Sequence, residues 1–164
     1  MTIDLKTELG PSNLYTSDFY AWTQEQAELL QAGHWNRLDI PNLVEEIESL
    51  GKQEKQELSN RLGVLLGHLL KWEFQSASRS KSWFATIREQ RRQILKLLKN
   101  NPSLQPYLSE AIQDGYEDAL DLVVRETPLN YSDLPQTCPY EQEQVLEGTF
   151  LPGQPLESDA DFVL

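Results

Sequence analysis

The residues best suited to bind a ligand lie close together near the middle of the chain. The segment RSKSW begins at Arg79 and is followed by three further arginines, Arg88, Arg91 and Arg92. Serines at the start of a helix lie beside free backbone N–H groups, where the helix dipole favours an anion. Arginine can bind a phosphate or a carboxylate through two parallel hydrogen bonds. The candidate anion-binding residues are therefore Arg79, Ser80, Ser82, Arg88, Arg91 and Arg92.

The charge distribution supports a second interpretation of the same arginines. The chain has a net charge of −12, yet residues 71–99 carry eight basic and two acidic side chains. A run of one charge is usually a solvated face or pairs with the opposite charge on a neighbouring element. We therefore favour internal pairing of the arginines with Glu45, Glu46, Glu48 or the acidic fourth helix. Binding of an external phosphate or an RNA backbone at residues 79–92 is the alternative.

Metal chemistry would have to use a small set of acids and histidines. Glu45 and Glu48 share one helical face, and His68 is the third candidate ligand. Di-iron bundles place a Glu-x-x-His motif on each of two helices, but neither His34 nor His68 has a glutamate three residues before it. We therefore predict no metal or other cofactor, and we expect His68, which lies among leucines, to be partly buried and hydrogen-bonded. A metal-dependent hydrolase is the third hypothesis for function.

Two further motifs are better explained by packing than by catalysis. Cys138 is the single cysteine, and its Thr-Cys-Pro context is typical of a packed small side chain before a helix. No sequence signature of a cysteine nucleophile surrounds it. Gly63 and Gly67 lie four residues apart on one helical face. Outside an apolar membrane segment, this spacing predicts a close approach of another helix.

Apolar side chains at helical spacing predict the elements that carry these residues. The first helix starts at Ser17 or Asp18 and ends before Gly33, whose position favours a left-handed C-cap. The second helix follows Asp39 as its N-cap. We favour one long helix, bent or slightly twisted near Gly51, over two separate helices in residues 41–76, although the apolar residues of the two halves are out of phase.

The remaining helices are predicted in the same way. Ser80 or Ser82 caps the third helix, and the segment from Pro102 to Pro106 starts the fourth. A short helix then begins with Pro139 at its first position, where a missing N–H is tolerated. The prediction is an all-α protein with four main amphipathic helices packed as an irregular bundle, one of them long, plus a short C-terminal helix.

Each predicted helix needs a partner for its apolar face. The early part of the second helix presents an apolar face formed by Leu43, Ile47 and Leu50. No single helix can bury such a face alone, so the faces are expected to share one core. A face left exposed would instead indicate a dimer surface. We expect an N-terminal arm over residues 1–14, a single helical domain over residues 15–152 and an acidic flexible tail over residues 153–164.

Composition also predicts where the protein is found. The first ten residues are polar and lack the apolar segment of a signal peptide. No apolar run approaches the length of a transmembrane helix. The acidic surface would repel an anionic membrane and nucleic acid, except at the basic central segment. We therefore expect a cytoplasmic protein that does not bind membranes.

Several segments together resemble the bacterial, mainly cyanobacterial, family catalogued as domain of unknown function 29. The likeness covers about residues 14–152. The segments are LYTSDFYAWTQEQAELLQAGHWNRLDIPNLVEEIESLG, HLLKWEFQ, RSKSWFATIREQRRQI, NPSL and CPYEQEQVLEGTFLP. The resemblance implies an α-helical, bundle-like domain and implies no particular activity.

The function predicted from these observations is non-enzymatic. The chain has no catalytic signature and a strongly acidic surface, which favours a protein-interaction or regulatory module of the antitoxin type. Its expected partner is another protein or a second copy of the chain. The alternatives are a phosphate or nucleic-acid-binding protein that uses residues 79–92 and a metal-dependent hydrolase.

Overall fold

A computed structural model describes residues 14–162, and within this range all regular structure is helical. The α-helices are α1 (Leu14–Ser17), α2 (Phe19–Gln31), α3 (Ile40–Phe74), α4 (Lys81–Asn100), α5 (Leu108–Glu126) and α6 (Gln142–Leu146). Short 3₁₀ helices occupy Trp35–Arg37, Ser76–Ser78, Pro102–Tyr107, Tyr131–Asp133 and Glu157–Phe162. The predicted all-α architecture, with four main helices and a short C-terminal one, is confirmed. Most of the predicted N-terminal arm lies outside the described residues.

Several helix ends follow directly from the local sequence. The Asp18 carboxylate accepts a hydrogen bond from the Ala21 N–H at 3.0 Å and caps α2. The Ser80 hydroxyl caps α4 by accepting from the Trp83 N–H at 3.2 Å. Gly33 follows α2 with φ of 71°, a left-handed conformation that glycine adopts without steric cost. These caps were predicted and are confirmed.

The long helix α3 is continuous through Gly51, as favoured from the sequence. Two other helix starts were predicted wrongly. The segment Pro102–Tyr107 is a 3₁₀ helix, and α5 begins only after it, because Pro106 has no N–H to donate to an α-helical ladder. The last α-helix begins at Gln142 rather than at Pro139, because Glu141 forms a capping box with Gln144.

The described residues form two compact units, one up to Gly51 and one from Lys52 onward. In the first unit, Asp39 lies directly before α3 and holds it to α2. Its carboxylate accepts from the Trp22 indole N–H at 3.0 Å, and its own backbone N–H donates to the Gln26 side chain at 2.8 Å. All three residues are buried. The predicted domain boundaries at residues 14 and 152 stay predictions.

The second unit has an apolar core supplied by the last part of α3 and by α4, α5 and α6. Its fully buried members include Leu58, Leu62, Leu65, Leu69, Ile87, Ile94, Ala119, Val123 and Val145. A methyl group on Gly63 would lie 3.2 Å from the Gly115 carbonyl oxygen, and one on Gly67 would lie 3.4 Å from the Ala119 carbonyl oxygen. The close helix packing predicted for this glycine pair is therefore confirmed, with α5 as the partner helix.

Within residues 14–162, no helix combines the length and apolar composition needed to cross a membrane.

Candidate functional site

The predicted anion site divides between the inner and outer faces of α4. Arg91 is on the inner face and only 3% exposed. Its guanidinium donates to the carbonyl oxygens of Val145 at 2.9 Å and Gln144 at 3.2 Å. Burial lowers its pKa to about 10, so the group is still charged at neutral pH. Arg91 therefore holds α6 against α4 through these hydrogen bonds and is not available to an external anion.

Arg79 is also turned inward, toward the C-terminal residues. Its side chain is 2% exposed, and one guanidinium nitrogen donates to the Asp159 carboxylate at 2.6 Å and to the Gln154 carbonyl at 2.9 Å. Its Nε–H donates to the Trp72 carbonyl at 2.9 Å. The predicted internal pairing of this arginine thus exists, although its partner is Asp159 and not one of the acids proposed from the sequence.

The two serines of the predicted site differ in role. The Ser80 hydroxyl is used as the cap of α4. Ser82 is exposed, and its carbonyl accepts from the Thr86 hydroxyl at 3.0 Å. Neither serine is brought together with Arg91, which lies further along the helix and faces the interior.

The outer face of α4 carries a basic stripe, which we define as Lys81, Arg88, Arg92 and Lys99. These residues lie seven, four and seven positions apart and are exposed. At 100° per residue they fall within about 40° of one another around the helix. Within residues 14–162 none of the four forms an ion pair, although Arg88 lies 6.0 Å from the centre of the Phe84 ring. The basic stripe therefore presents uncompensated positive charge to solvent.

A second exposed surface lies on the first part of α3. We define the apolar stripe as Ile40, Val44, Ile47 and Leu50, of which Ile47 is 67% and Leu50 is 61% exposed. Ile47 and Leu50 were expected to join a shared core, and that expectation is wrong. In the first unit, α2 buries Trp22, Gln26 and Leu29. The side chains of the apolar stripe on α3 are not covered in this way and remain in water.

A cleft of about 540 Å³ lies between α5 and the segment before α6 and contains Cys138. Burial raises the pKa of the Cys138 thiol, and its sulfur lies 3.6 Å from the Tyr140 carbonyl. Tyr140 donates its hydroxyl to Glu73 at 2.7 Å, and both burial and this bond raise the pKa of the phenol. No histidine is among the residues described as lining the cleft. The cleft holds Cys138 as an unactivated thiol, which agrees with the predicted packing role.

The residues considered for metal binding occupy separate environments. Glu45 and Glu48 are exposed on α3. The His68 ring lies 2.8 Å from the Val64 carbonyl oxygen, and burial lowers the pKa of the imidazole. The prediction of a partly buried, hydrogen-bonded histidine is confirmed. In the part of the chain that the structure describes, no three His, Cys, Asp or Glu side chains are arranged to hold a metal ion.

One buried charge was missed by the sequence reasoning. Lys71 is 3% exposed, and its ammonium group lies 2.7 Å from the Glu126 carboxylate and 4.5 Å from the centre of the Trp83 ring. The hydrogen bond from Lys71 lowers the pKa of Glu126. The position of Lys71 beside Trp72 near the end of α3 gave no signal of burial, because lysine is rarely buried unless it is paired.

Over residues 14–162 the fold and these surfaces define a class of protein, an all-α protein that exposes a basic stripe and an apolar stripe to solvent. The family model described as Domain of unknown function DUF29 matches residues 14–151, so the chain belongs to this family. The family resemblance stated from the sequence is confirmed. Comparison with curated proteins and with solved structures gave no match.

Proposed function

We propose that this protein is a non-catalytic interaction module that binds a regulatory protein partner through the apolar stripe. The observation that carries the proposal is the exposure of four large aliphatic side chains at positions four, three and three residues apart on one helix. Contiguous apolar surface of this kind on a soluble domain typically marks a binding site. An amphipathic partner helix could bury these side chains as a helix in a groove or as a helix pair.

The charge around the stripe indicates the chemistry of the partner. Residues 14–51 contain seven acidic side chains and one basic side chain. Glu48 is exposed one helical turn after Val44, at the edge of the stripe. A second copy of this surface would bring acids against acids, which costs free energy. A basic, amphipathic helix of another protein is therefore the favoured partner.

Replacing Val44 and Ile47 together with serine should weaken partner binding by about thirty- to a thousandfold, since each of the two buried aliphatic anchors contributes about 1–2 kcal/mol. A photo-crosslinking residue at position 47 would first identify the partner in native cells. The same residue at position 45, on the opposite side of the helix, serves as its control. The affinity of the purified pair would then be measured by calorimetry.

The matched control for this double variant is Leu95→Ser. Leu95 is 49% exposed on α4, so its replacement removes an exposed aliphatic side chain from a different helix. Equal crosslinking at positions 45 and 47, or equal affinity in the double variant and the wild type, would count against the apolar stripe as the binding surface. If the wild type dimerises and V44S/I47S does not, the partner of the apolar stripe is a second copy of this chain and not a basic helix of another protein.

The basic stripe supports a second candidate function, which is binding of a polyanion such as RNA. Its supporting observation is that Arg88 and Arg92 lie one helical turn apart, exposed and without an ion pair in the described range. Exposed arginines at this spacing can contact successive phosphates. The overall charge of −12 opposes this function, so it ranks below the apolar stripe.

If the basic stripe binds RNA, the variant R88A/R92A should bind a single-stranded oligonucleotide more weakly and with less dependence on salt. Each lost phosphate contact lowers the salt slope by about 0.7 for a single strand. Fluorescence anisotropy at several salt concentrations would measure both quantities. The variant R37A/K52A removes two exposed charges from elsewhere and should leave the slope unchanged. No binding by the wild type at low salt would remove this candidate function.

A further inference from the structure

The C-terminal residues lie across the end of α3 and the start of α4. We call residues 153–162 the C-terminal strap. It is fixed by the Asp159 carboxylate on Arg79 at 2.6 Å, by the Gln154 carbonyl, which accepts from Arg79 at 2.9 Å, and by the Phe162 ring on Trp72, with ring centres 5.2 Å apart. Phe162 also lies 5.9 Å from the centre of the Phe84 ring. The strap is therefore held by one ion pair, one hydrogen bond to its backbone and one aromatic cluster.

Apart from these contacts, most of the strap is in water. Its residues from Gly153 to Ser158 are exposed, and so are Ala160 and Asp161. The Leu156 N–H donates to Asp159 at 2.8 Å, so this contact shapes the strap without fixing it to the helices. Few buried contacts mean that a segment can detach at a small free-energy cost.

The ion pair between Arg79 and Asp159 is incomplete. An arginine and a carboxylate can form two parallel hydrogen bonds, yet here Nη1 bonds to one oxygen. The second guanidinium nitrogen, Nη2, and the second carboxylate oxygen, Oδ1, are buried with no hydrogen-bond partner in the described structure. Leaving a charged group partly unpaired in a buried site is unfavourable. A carboxylate that engaged both nitrogens would bind Arg79 better than the strap does.

The surroundings of Arg79 leave room for such a ligand. A cavity of about 200 Å³ is lined by Arg79, Asp159, Trp72 and Phe162, together with prolines of the strap region. Gly153 adopts φ of 82° beside it, and a methyl group there would lie 3.0 Å from Arg79 Nη2. Because Gly153 has no side chain, no Cβ atom crowds this nitrogen.

We propose that Arg79, Trp72 and Phe84 form a binding site for an acidic peptide in which a carboxylate precedes an aromatic ring by three residues, and that the strap occupies this site until it is displaced. Asp159 and Phe162 show which chemistry fits, because they supply that carboxylate and ring from the chain itself. The partner is an acidic-aromatic segment of another polypeptide. This site is on the second unit and is separate from the apolar stripe of the proposed function.

A peptide supplied in solution tests the site directly. The probe is a fluorescein-labelled peptide of sequence LPGQPLESDADF, and its binding to the full chain is measured by fluorescence anisotropy. The variant D159N/F162A should bind the probe at least about tenfold more tightly than the wild type, because loss of the strap contacts raises the fraction of molecules with an open site. Adding R79Q to this variant should abolish the gain.

Two controls distinguish specific binding at this site from nonspecific peptide binding and from unfolding of the protein. A probe with asparagine and alanine at the positions of Asp159 and Phe162 should not bind. Mass spectrometry after a glutamate-specific protease should show faster cleavage after Glu157 in D159N/F162A, with an unchanged circular dichroism spectrum. Faster cleavage without tighter probe binding would overturn the proposal, and so would equal binding in the presence of R79Q. Displacement of the probe by RNA but not by excess unlabelled peptide would also overturn it and assign the site to polyanions.

Discussion

Replacing Gly115 with alanine should lower the free energy of unfolding by about 2–3 kcal/mol, a large effect for one methyl group. The new Cβ atom would lie 2.8 Å from the Ser59 carbonyl oxygen and 2.9 Å from the Gly63 nitrogen. Both are backbone atoms, so α3 and α5 must move apart to admit it. This cost exceeds the gain of about 1 kcal/mol that alanine normally brings to a helix interior.

Gly51 provides the matched control, since it also lies inside a helix. A methyl group there would meet no atom within 4 Å. Gly51→Ala should therefore raise stability by about 0.5–1 kcal/mol through helix propensity alone. Urea unfolding followed by circular dichroism measures both variants. A Gly115→Ala variant as stable as the wild type would contradict the close approach of α3 and α5 at this point.

Replacing Arg91 with alanine is expected to produce the second large effect, a loss of about 2–4 kcal/mol, because two buried carbonyl oxygens lose a charged donor. The side chain is 3% exposed and bonds to Val145 and Gln144. Burial already lowers the pKa of Arg91 to about 10, which reflects the cost of removing its charge from water. Deleting the side chain also removes this cost of burying a charge. The net loss of stability should therefore not exceed about 4 kcal/mol.

The neighbouring Arg92 separates this effect from a general loss of positive charge. Arg92 is exposed, and its replacement by alanine should change stability by less than about 0.5 kcal/mol. Hydrogen exchange of the amides in Gln142–Leu146 should accelerate in the Arg91 variant and not in the Arg92 variant. Equal stabilities and equal exchange in the two variants would show that Arg91 does not hold α6.

The sequence by itself determined the helices and most of their ends. Capping by Asp18 and Ser80, the left-handed turn at Gly33 and the continuity of α3 depend on interactions within a few residues. Such local terms are readable from residue types and spacing. The spacing of Gly63 and Gly67 also predicted a close helix contact, because two missing side chains on one face allow another helix to approach.

Only the tertiary structure decided which side chains face inward. Arg91 and Arg92 are adjacent in the chain, yet one binds α6 and the other lies in water. Ile47 fits a helical stripe as well as Leu62 does, yet Ile47 is exposed and Leu62 is buried. Burial depends on which segments, distant in sequence, reach a given face, and helical periodicity contains no information about them. The sequence therefore predicted that α4 is basic, but its division into an inner face, where Arg91 binds α6, and an outer basic stripe required the fold.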